Sequence, residues 1–372
     1  MHRRVTLFDL AEALGISTGT VHRALHDHPG VSPVTRKRVL QMAKSMGYRP
    51  NLAARYLSRR RNLHISVNTL KGTTSFWDEV RAGIDDEAAA LGMDTVGLEY
   101  RTYPRLGEGD EEAFEAALDN DTAGIIVFPS DPQRLRPWIR RAARLRIPVV
   151  CVVTDAPRTS RLAVVSIDTL VSGSLAADLM GRLLKGQGKV AVTLSSLEVT
   201  EHAEKFHAFE TALHSYYPEM KVVPPAEDHD VESETFERGR RLIEDHPDLA
   251  GIYVTTEAST PILQAARAAG VLDRLTIITT DLFPALVEEI RSGVVVASIY
   301  QRPRTQGRMA FRVLHEFLAE GHCPTYQVAL APHLVMRGNL NFFLQQQTSE
   351  PMEREDQKLD TPPWEAGGHS FV

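Results

Sequence analysis

The sequence predicts an all-α head followed by an α/β body. Residues 1 to 61 hold short helical repeats of apolar spacing and no strand-like run. From His64 onward, short β-rich runs alternate with amphipathic stretches. That is the pattern of parallel sheets with helices on both faces. Charge divides at the same place. Residues 1 to 61 carry twelve Lys and Arg against Asp9, Glu12 and Asp27, a local charge of +9 in a chain of net charge −6, so the remainder is −15. A basic head on an acidic body suits a phosphate footprint confined to one end. A length of 372 residues allows two or three domains with ample core.

The head reads element by element. Leu7, Leu10, Ala11 and Leu14 share one helical face. Gly15 supplies a left-handed turn at no steric cost. Ser17 can cap a second helix, whose apolar face is Val21, Ala24 and Leu25. Two short helices joined by a glycine turn make a helix-turn-helix. Ser32-Pro33 then opens a third helix lined by Val39, Met42, Ala43 and Met46, and Gly47 ends it. Pro50 to Leu57 follows. The blocks VTLFDLAEALGIS, TVHRAL, VSPVTRKRVLQMAKSMGYRPN and AARYL resemble the DNA-binding headpiece of the lactose-repressor (LacI/GalR) family. The resemblance covers this whole segment, and more weakly the chain to about residue 343.

The resemblance implies that Thr6, Thr18, Gly19, His22 and Arg23 lie at the DNA. Arg23 can bond guanine O6 and N7 with both arms, and Thr18 can donate to a base or touch a thymine methyl. Gly19 has no side chain to read a base edge. His22 stands where many relatives carry serine, and the alternative for both His22 and Thr18 is a solvated face. His22 and His26 have an i,i+4 spacing, but no third metal ligand is near in sequence. Arg36, Lys37 and Arg38 fit phosphate or solvent rather than bases. Residues 50 to 59 form a hinge helix too short to stand alone in water. By resemblance it orders on the minor groove, with Leu57 as the wedge and Asn51 and Ala54 beside it. The alternative is that Leu57 packs internally.

In the body, strand-like runs fall at 64–67, 93–98, 123–128, 148–153, 164–167, 189–194, 251–254, 276–279 and 294–299. Helical stretches between them include 76–91, 170–184, 205–217, 235–245, 259–269 and 305–318. These strands exceed one comfortable sheet. Two lobes fit better, as in the periplasmic sugar-binding proteins that this body resembles. That resemblance implies crossings between lobes near Asp168, Gln301 and Ala331. Ligands of open α/β sheets bind outside the carboxyl ends of strands. Candidate effector residues at strand ends are Phe76, Trp77, Asp131, Lys205, Thr256, Asp281 and Gln301. Carboxylates, amides and hydroxyls pair with sugar hydroxyls, and aromatic faces cover C–H groups. Asp131 can equally cap a helix before Pro132, and Phe76 can equally be core. Lys205 and Thr256 stand where relatives often carry arginine and asparagine. Glu198, Glu201 and His202 read as a solvated loop.

The expected layout is a head over residues 1–49, a hinge and linker over 50–61, a two-lobed effector and dimerisation domain over 62–344, and a polar disordered tail over 345–372. The two cysteines, Cys151 and Cys323, have no metal-ligand spacing. No apolar core follows Met1-His2-Arg3-Arg4 and no run of eighteen apolar residues occurs, so a cytoplasmic protein is expected. No P-loop, GxSxG or HExxH pattern appears, and no cofactor or metal is implied. The reading is a transcriptional regulator, a homodimer on a pseudo-palindromic double-stranded operator, responding to a sugar or polyol bound between two lobes. Two alternatives are a DNA-binding dimer without an effector and a sugar-converting enzyme fused to a DNA-binding head.

Overall fold

The computed structural model describes residues 7–25, 30–46, 63–71, 75–91, 96–119, 121–229, 231–321 and 326–348. Thr6, the expected hinge with Asn51, Ala54 and Leu57, Cys323 and residues 349–372 lie outside that set, and of His22 only the backbone is described.

The head folds as its apolar spacing requires. Helices α1 (Leu7–Leu14), α2 (Thr18–Leu25) and α3 (Pro33–Ser45) enclose a core of Leu10, Ala11, Val21, Ala24, Val39 and Ala43. Gly15 takes φ 65°, and its N–H closes on Glu12 O at 3.2 Å. Ser17 Oγ accepts from Thr20 N at 3.2 Å and Ser32 Oγ from Thr35 N at 3.1 Å, so both predicted caps satisfy an otherwise orphaned donor.

The chain divides into two compact units. The first comprises Met1–Ile167, Glu198–Glu201 and Pro303–Leu330, and the second Asp168–Leu197, His202–Arg302 and Ala331–Val372. Three boundaries fall at or beside the positions implied by the resemblance. The excursion at Glu198–Glu201 was not foreseen.

The first unit contains β1 (Leu63–Leu70), α4 (Ser75–Ala90), β2 (Val96–Tyr103), α5 (Asp110–Ala116), β3 (Thr122–Val127), α6 (Pro132–Arg144), β4 (Val149–Val152), β5 (Ala163–Ile167), α12 (Pro303–Glu320) and β12 (Gln327–Leu330). Its strands form one parallel sheet in the order β12-β5-β4-β3-β1-β2. The second unit contains α7 (Thr169–Leu183), β6 (Lys189–Leu194), α8 (Thr200–Tyr216, from His202 onward), β7 (Lys221–Val222), β8 (Ala226–Glu227), α9 (Glu232–Asp245), β9 (Leu249–Val254), α10 (Ser259–Ala268), β10 (Thr276–Thr280), α11 (Pro284–Ser292), β11 (Val295–Tyr300), β13 (His333–Val335) and α13 (Leu340–Thr348). Its sheet runs β13-β11-β10-β9-β6-β7, with β8 also on β6 and only β13 antiparallel. The first sheet places β1 between β2 and β3, and the second places β6 between β7 and β9, so each has a topological switch at the carboxyl end of its first strand.

All nine predicted strand runs are strands. The central ones, such as β3 and β4, are buried at every residue, which is why they read as apolar runs. Strand β2 runs further than predicted, to Tyr103, and residues 93–95 of the predicted run lie outside the described set. It is an edge strand with a half-exposed, charge-bearing pattern, so its far end lacks an apolar signature. Strands β7, β8, β12 and β13, of two to four residues, lay where no element was predicted. The tail boundary also moves. Residues 345 to 348 continue helix α13, because Leu340 and Phe343 anchor it in the second unit's core.

Helix α12 returns late in the chain to cover the first sheet beside α4. The two backbones touch: a Cβ on Gly83 would lie 2.0 Å from Arg304 O, and one on Gly307 2.0 Å from Val80 O. Along the seam Arg304 and Arg308 both bond Asp86, at 2.6 and 2.8 Å, and Arg312 bonds Glu87 at 2.7 Å. Burial raises the Asp86 carboxyl, but the hydrogen bonds from Arg304 and Arg308 outweigh it and hold the group below its ordinary range. Gly307→Ala should therefore cost about 3 kcal/mol and lower the melting temperature by roughly 6–12 °C. Gly338→Ala, whose Cβ meets nothing within 4 Å, should be nearly neutral in the same calorimetric scan. Equal melting of both variants would refute the close-packed seam.

Candidate DNA-reading surface and effector site

Helix α2 buries Val21 and Ala24 and turns Thr18, Gly19 and Arg23 to solvent. Burying the apolar face leaves the polar face outward, so these three predicted contacts share one accessible surface. Arg23 Nη2 donates to Thr20 Oγ1 at 3.4 Å, a long bond that steadies the guanidinium without consuming its other donors. Thr20 also shares a hydroxyl contact with Ser17 at 2.8 Å, which ties Arg23 back to the helix cap. Thr20 was not among the predicted residues. Its cue was the i,i+3 spacing to both Ser17 and Arg23.

In the second unit, three of the four predicted effector residues form one hydrogen-bonded chain. Lys205 comes from α8, Asp281 follows β10 and Gln301 follows β11. Lys205 Nζ donates to Gln301 Oε1 at 2.6 Å and to Thr255 O at 3.3 Å. Gln301 Nε2 donates to Asp281 Oδ2 at 2.6 Å, and the Gln301 backbone N–H donates to Asp281 Oδ1 at 2.9 Å. The ammonium and the carboxylate together orient the intervening amide: its oxygen must face the lysine and its nitrogen the aspartate. All three side chains are buried. A lone buried charge would cost several kcal/mol, and here each charge has its opposite one amide away.

The backbone beneath this chain is shaped for it. Asp281 takes φ 65° and Arg302 φ 58°. Asp281 N–H donates to Ile299 O at 3.0 Å, and Ser298 Oγ donates to Asp281 O. An aspartate tolerates the left-handed region better than most residues. Thr256, the fourth residue, is buried and accepts from Ala258 N at 3.2 Å, so its hydroxyl turns the chain into α10.

The first unit holds Phe76, Trp77 and Asp131. Phe76 and Trp77 are about as buried as core residues, at 6% and 7% exposure, with ring centroids 5.1 Å apart. Trp77 also lies 4.6 Å from Phe128. Both belong to the sheet's hydrophobic core, which favours the packing role foreseen as the alternative for Phe76. Asp131 caps α6: its Oδ1 accepts from Gln133 N and Arg134 N, both at 3.0 Å. Its position before Pro132 makes it the N-cap, the alternative foreseen for it.

The first unit also holds a buried carboxyl, Asp110, that was not among the predicted residues. Asp110 accepts from Ser130 Oγ at 2.7 Å and from Glu111 N at 3.0 Å, and Tyr103 OH donates to Phe128 O at 2.5 Å. Burial raises the Asp110 carboxyl above its ordinary range. The cue was Ser130 directly after the β3 run. The stretch read as a solvated loop also differs. Glu201 and His202 are buried in the first turn of α8, and Glu201 N–H donates to Thr154 Oγ1 at 3.0 Å. A helix start needs partners for its orphaned N–H groups, and this one is drawn inward to reach one.

Residues 65–322 match the family described as periplasmic binding protein domain, and residues 6–51 match bacterial regulatory proteins, lacI family. Catabolite control protein A of Priestia megaterium is 24% identical over 326 residues, covering 84% of this chain and 92% of its own. HTH-type transcriptional regulator DegA of Bacillus subtilis (strain 168) is 25% identical over 288 residues, covering 75% and 82%. Among solved structures, GanP, a glucose-galactose binding protein from Geobacillus stearothermophilus, superposes with a TM-score of 0.70 at 23% identity, covering 75% of this chain and 99% of its own. An ABC transporter solute binding protein from Agrobacterium vitis bound with alpha-D-tagatopyranose reaches a TM-score of 0.70 at 17% identity, covering 78% and 100%. These structural likenesses establish the fold of the body. The body match spans well over half of the chain and a regulatory head precedes it, so the chain belongs to the periplasmic binding protein domain family and is a LacI-family transcriptional regulator.

Proposed function

We propose that this regulator is a cytoplasmic homodimer, and a repressor, whose operator affinity is set by a sugar or polyol. The effector sits at the strand ends that carry Lys205, Asp281 and Gln301, with Thr256 lining the same strand ends. The observation that carries the reading is the buried chain Lys205–Gln301–Asp281, with links of 2.6 Å each. It places an ammonium donor, an amide and a carboxylate acceptor side by side. Adjacent sugar hydroxyls need that alternation, since each hydroxyl both donates and accepts. The relatives that are named regulators, and the solved structures described as sugar-binding, support the same reading. The head, residues 1–49, reads DNA, with Thr6, Thr18, Gly19, His22 and Arg23 at the major groove. Residues 50–61 connect it to the body, with Asn51, Ala54 and Leu57 at the minor groove. Ligand and operator are coupled reciprocally: an effector that weakens DNA binding must itself bind the DNA complex less well.

Thermal shift against glucose, galactose, arabinose, tagatose and myo-inositol tests the effector half. A true effector at a hundredfold excess over its Kd should stabilise the chain by about 2.7 kcal/mol. Asp281→Asn keeps a residue that accepts positive φ but sets one amide N–H against another at Gln301. The substitution should remove the shift for that sugar and, because it leaves the buried Lys205 without its opposite charge, should also lower the unliganded melting temperature, so the ligand-induced shift is read against the variant's own baseline. A panel that shifts the wild type and Asp281→Asn alike would move the effector site elsewhere.

The DNA half is tested by selecting an operator from random duplexes and titrating salt. For about six to ten phosphate contacts per dimer, log K should fall with log salt at a slope of about −5 to −9. A slope near zero would refute the basic head as the DNA-binding element. Arg23→Ala should cost on the order of 1–3 kcal/mol at one base pair per half-site and spare random DNA. Equal losses on operator and random DNA would count against α2 as the reading helix.

A further inference from the structure

The body is acidic, at −15, yet helix α6 and the turn after it are strongly basic. Residues 132–148 hold Arg134, Arg136, Arg140, Arg141, Arg144 and Arg146, and no aspartate, glutamate or lysine. Two of the six are paired along one flank with the acidic helix α5: Arg134 bonds Glu111, and Arg141 bonds Glu115 at 3.3 Å. Among the described residues no ion pair or hydrogen bond engages Arg136, Arg140, Arg144 or Arg146. Arg140, Arg144 and Arg146 are exposed and Arg136 is half-exposed. Arg136, Arg140 and Arg144 stand four residues apart, so they form one row along the helix in steps of about 6 Å. Like charges at that spacing repel and weaken a helix. The helix dipole favours a cation in the last turn, which accounts for Arg144 but not for Arg140 and Arg136, one and two turns earlier. Such a row fits an anion from outside the chain.

The chemistry of the row favours a phosphate backbone over an acidic protein helix. A docked helix needs an apolar stripe to bury, and beside this row the large exposed apolar side chain is Leu145 alone, at 50%. A phosphodiester chain needs none. Every cation here is an arginine, whose planar fork matches two phosphate oxygens. The 6 Å step is close to twice the rise of about 3.4 Å per charge along one DNA strand, so the row meets alternate phosphates. Topology adds a reason. Helix α6 leaves the carboxyl end of β3 and returns to the amino end of β4 in a parallel sheet. Its last turn, with Arg144, therefore lies at the edge where β1 begins at Leu63. Segment 46–62 joins that edge to the head and spans at most about 60 Å. DNA held by the head is thus tethered to this edge, and tethering supplies a high effective concentration. We propose that Arg136, Arg140 and Arg144 bind phosphates of duplex DNA outside the bases read by α2, as a second, sequence-independent DNA surface.

The proposal rests on the DNA-binding reading of the head. The test uses full-length protein and a fluorescein-labelled mixed-sequence duplex of about sixty base pairs, read by anisotropy over about 50 to 250 mM salt. Arg136→Gln combined with Arg140→Gln and Arg144→Gln should flatten the slope of log K against log salt by about 2 to 3 for each helix in contact. Binding at the lowest salt should weaken at least tenfold. Glutamine keeps the helix propensity, and losing the like charges should hold or raise the melting temperature. The control is Lys185→Gln with Arg238→Gln and Arg241→Gln, three exposed cations of the second unit. It changes the net charge equally and should keep the wild-type slope.

A wild-type slope and affinity in the α6 variant would overturn the proposal and leave the row to an acidic protein. Equal flattening by the control would assign the loss to net charge and overturn it as well. A clear fall in melting temperature of the α6 variant would make the row structural, with the same consequence. Absence of DNA binding by the wild type would overturn this proposal and the DNA-binding reading together, whereas binding that ignores the α6 substitutions overturns this one alone.

Discussion

The first unit depends on a seam between two helices that are far apart in the sequence. A parallel sheet must be covered on both faces, because its strands bury side chains in both directions. Helix α4 covers part of one face of the first sheet, and α12 completes it after the chain has built nearly all of the second unit. Gly83 and Gly307 let the two backbones touch, and no side chain fits there. The arginines of α12 then pair with Asp86 and Glu87 along the seam. Such pairs, half-buried, specify register as much as they stabilise, since a slipped helix would leave carboxylates buried beside apolar groups. The final strand β12 joins the same sheet, so the first unit is complete only after four crossings of the chain.

The buried chain Lys205–Gln301–Asp281 lies in the second unit. Its sheet repeats the topology of the first, and its strand ends bring Asp281 and Gln301 side by side on neighbouring strands β10 and β11. Lys205 arrives from α8, not from a strand. The three groups are mutually dependent. Without Asp281 the amide of Gln301 loses its preferred orientation, and without that orientation Lys205 faces a donor in place of an acceptor. The order of these three side chains is thus a matter of polarity along a hydrogen-bond chain as well as of distance.

The head shows the opposite regime. Among the described residues its buried core is six residues, and its helices are eight, eight and thirteen residues long. A module of that size is marginal alone, so caps at Ser17 and Ser32 carry a larger share of its stability than they would in the body. Its surface is correspondingly rich in cationic and exposed apolar side chains. Those are groups that gain from contact with something outside the head.

Much of this was legible in the amino-acid order. The head's caps, turn and apolar faces are local features, and local features are written within four residues of one another. The buried strands were legible because burial on both faces forces runs of apolar residues, as in Val149–Val152. Asp281, Gln301 and Lys205 were legible as strand-end and loop residues, but their linkage was not, since 96 positions separate Lys205 from Gln301. Short edge strands such as β12 and β13 carry too few residues to show a period. Phe76 and Asp131 looked alike as site or scaffold in sequence, because an aromatic ring after a strand and an aspartate before a proline serve either use. Tertiary packing decided Phe76, which is enclosed by the first sheet's core, whereas Asp131 was decided by the local helix start, its carboxylate accepting the free N–H groups two and three residues on.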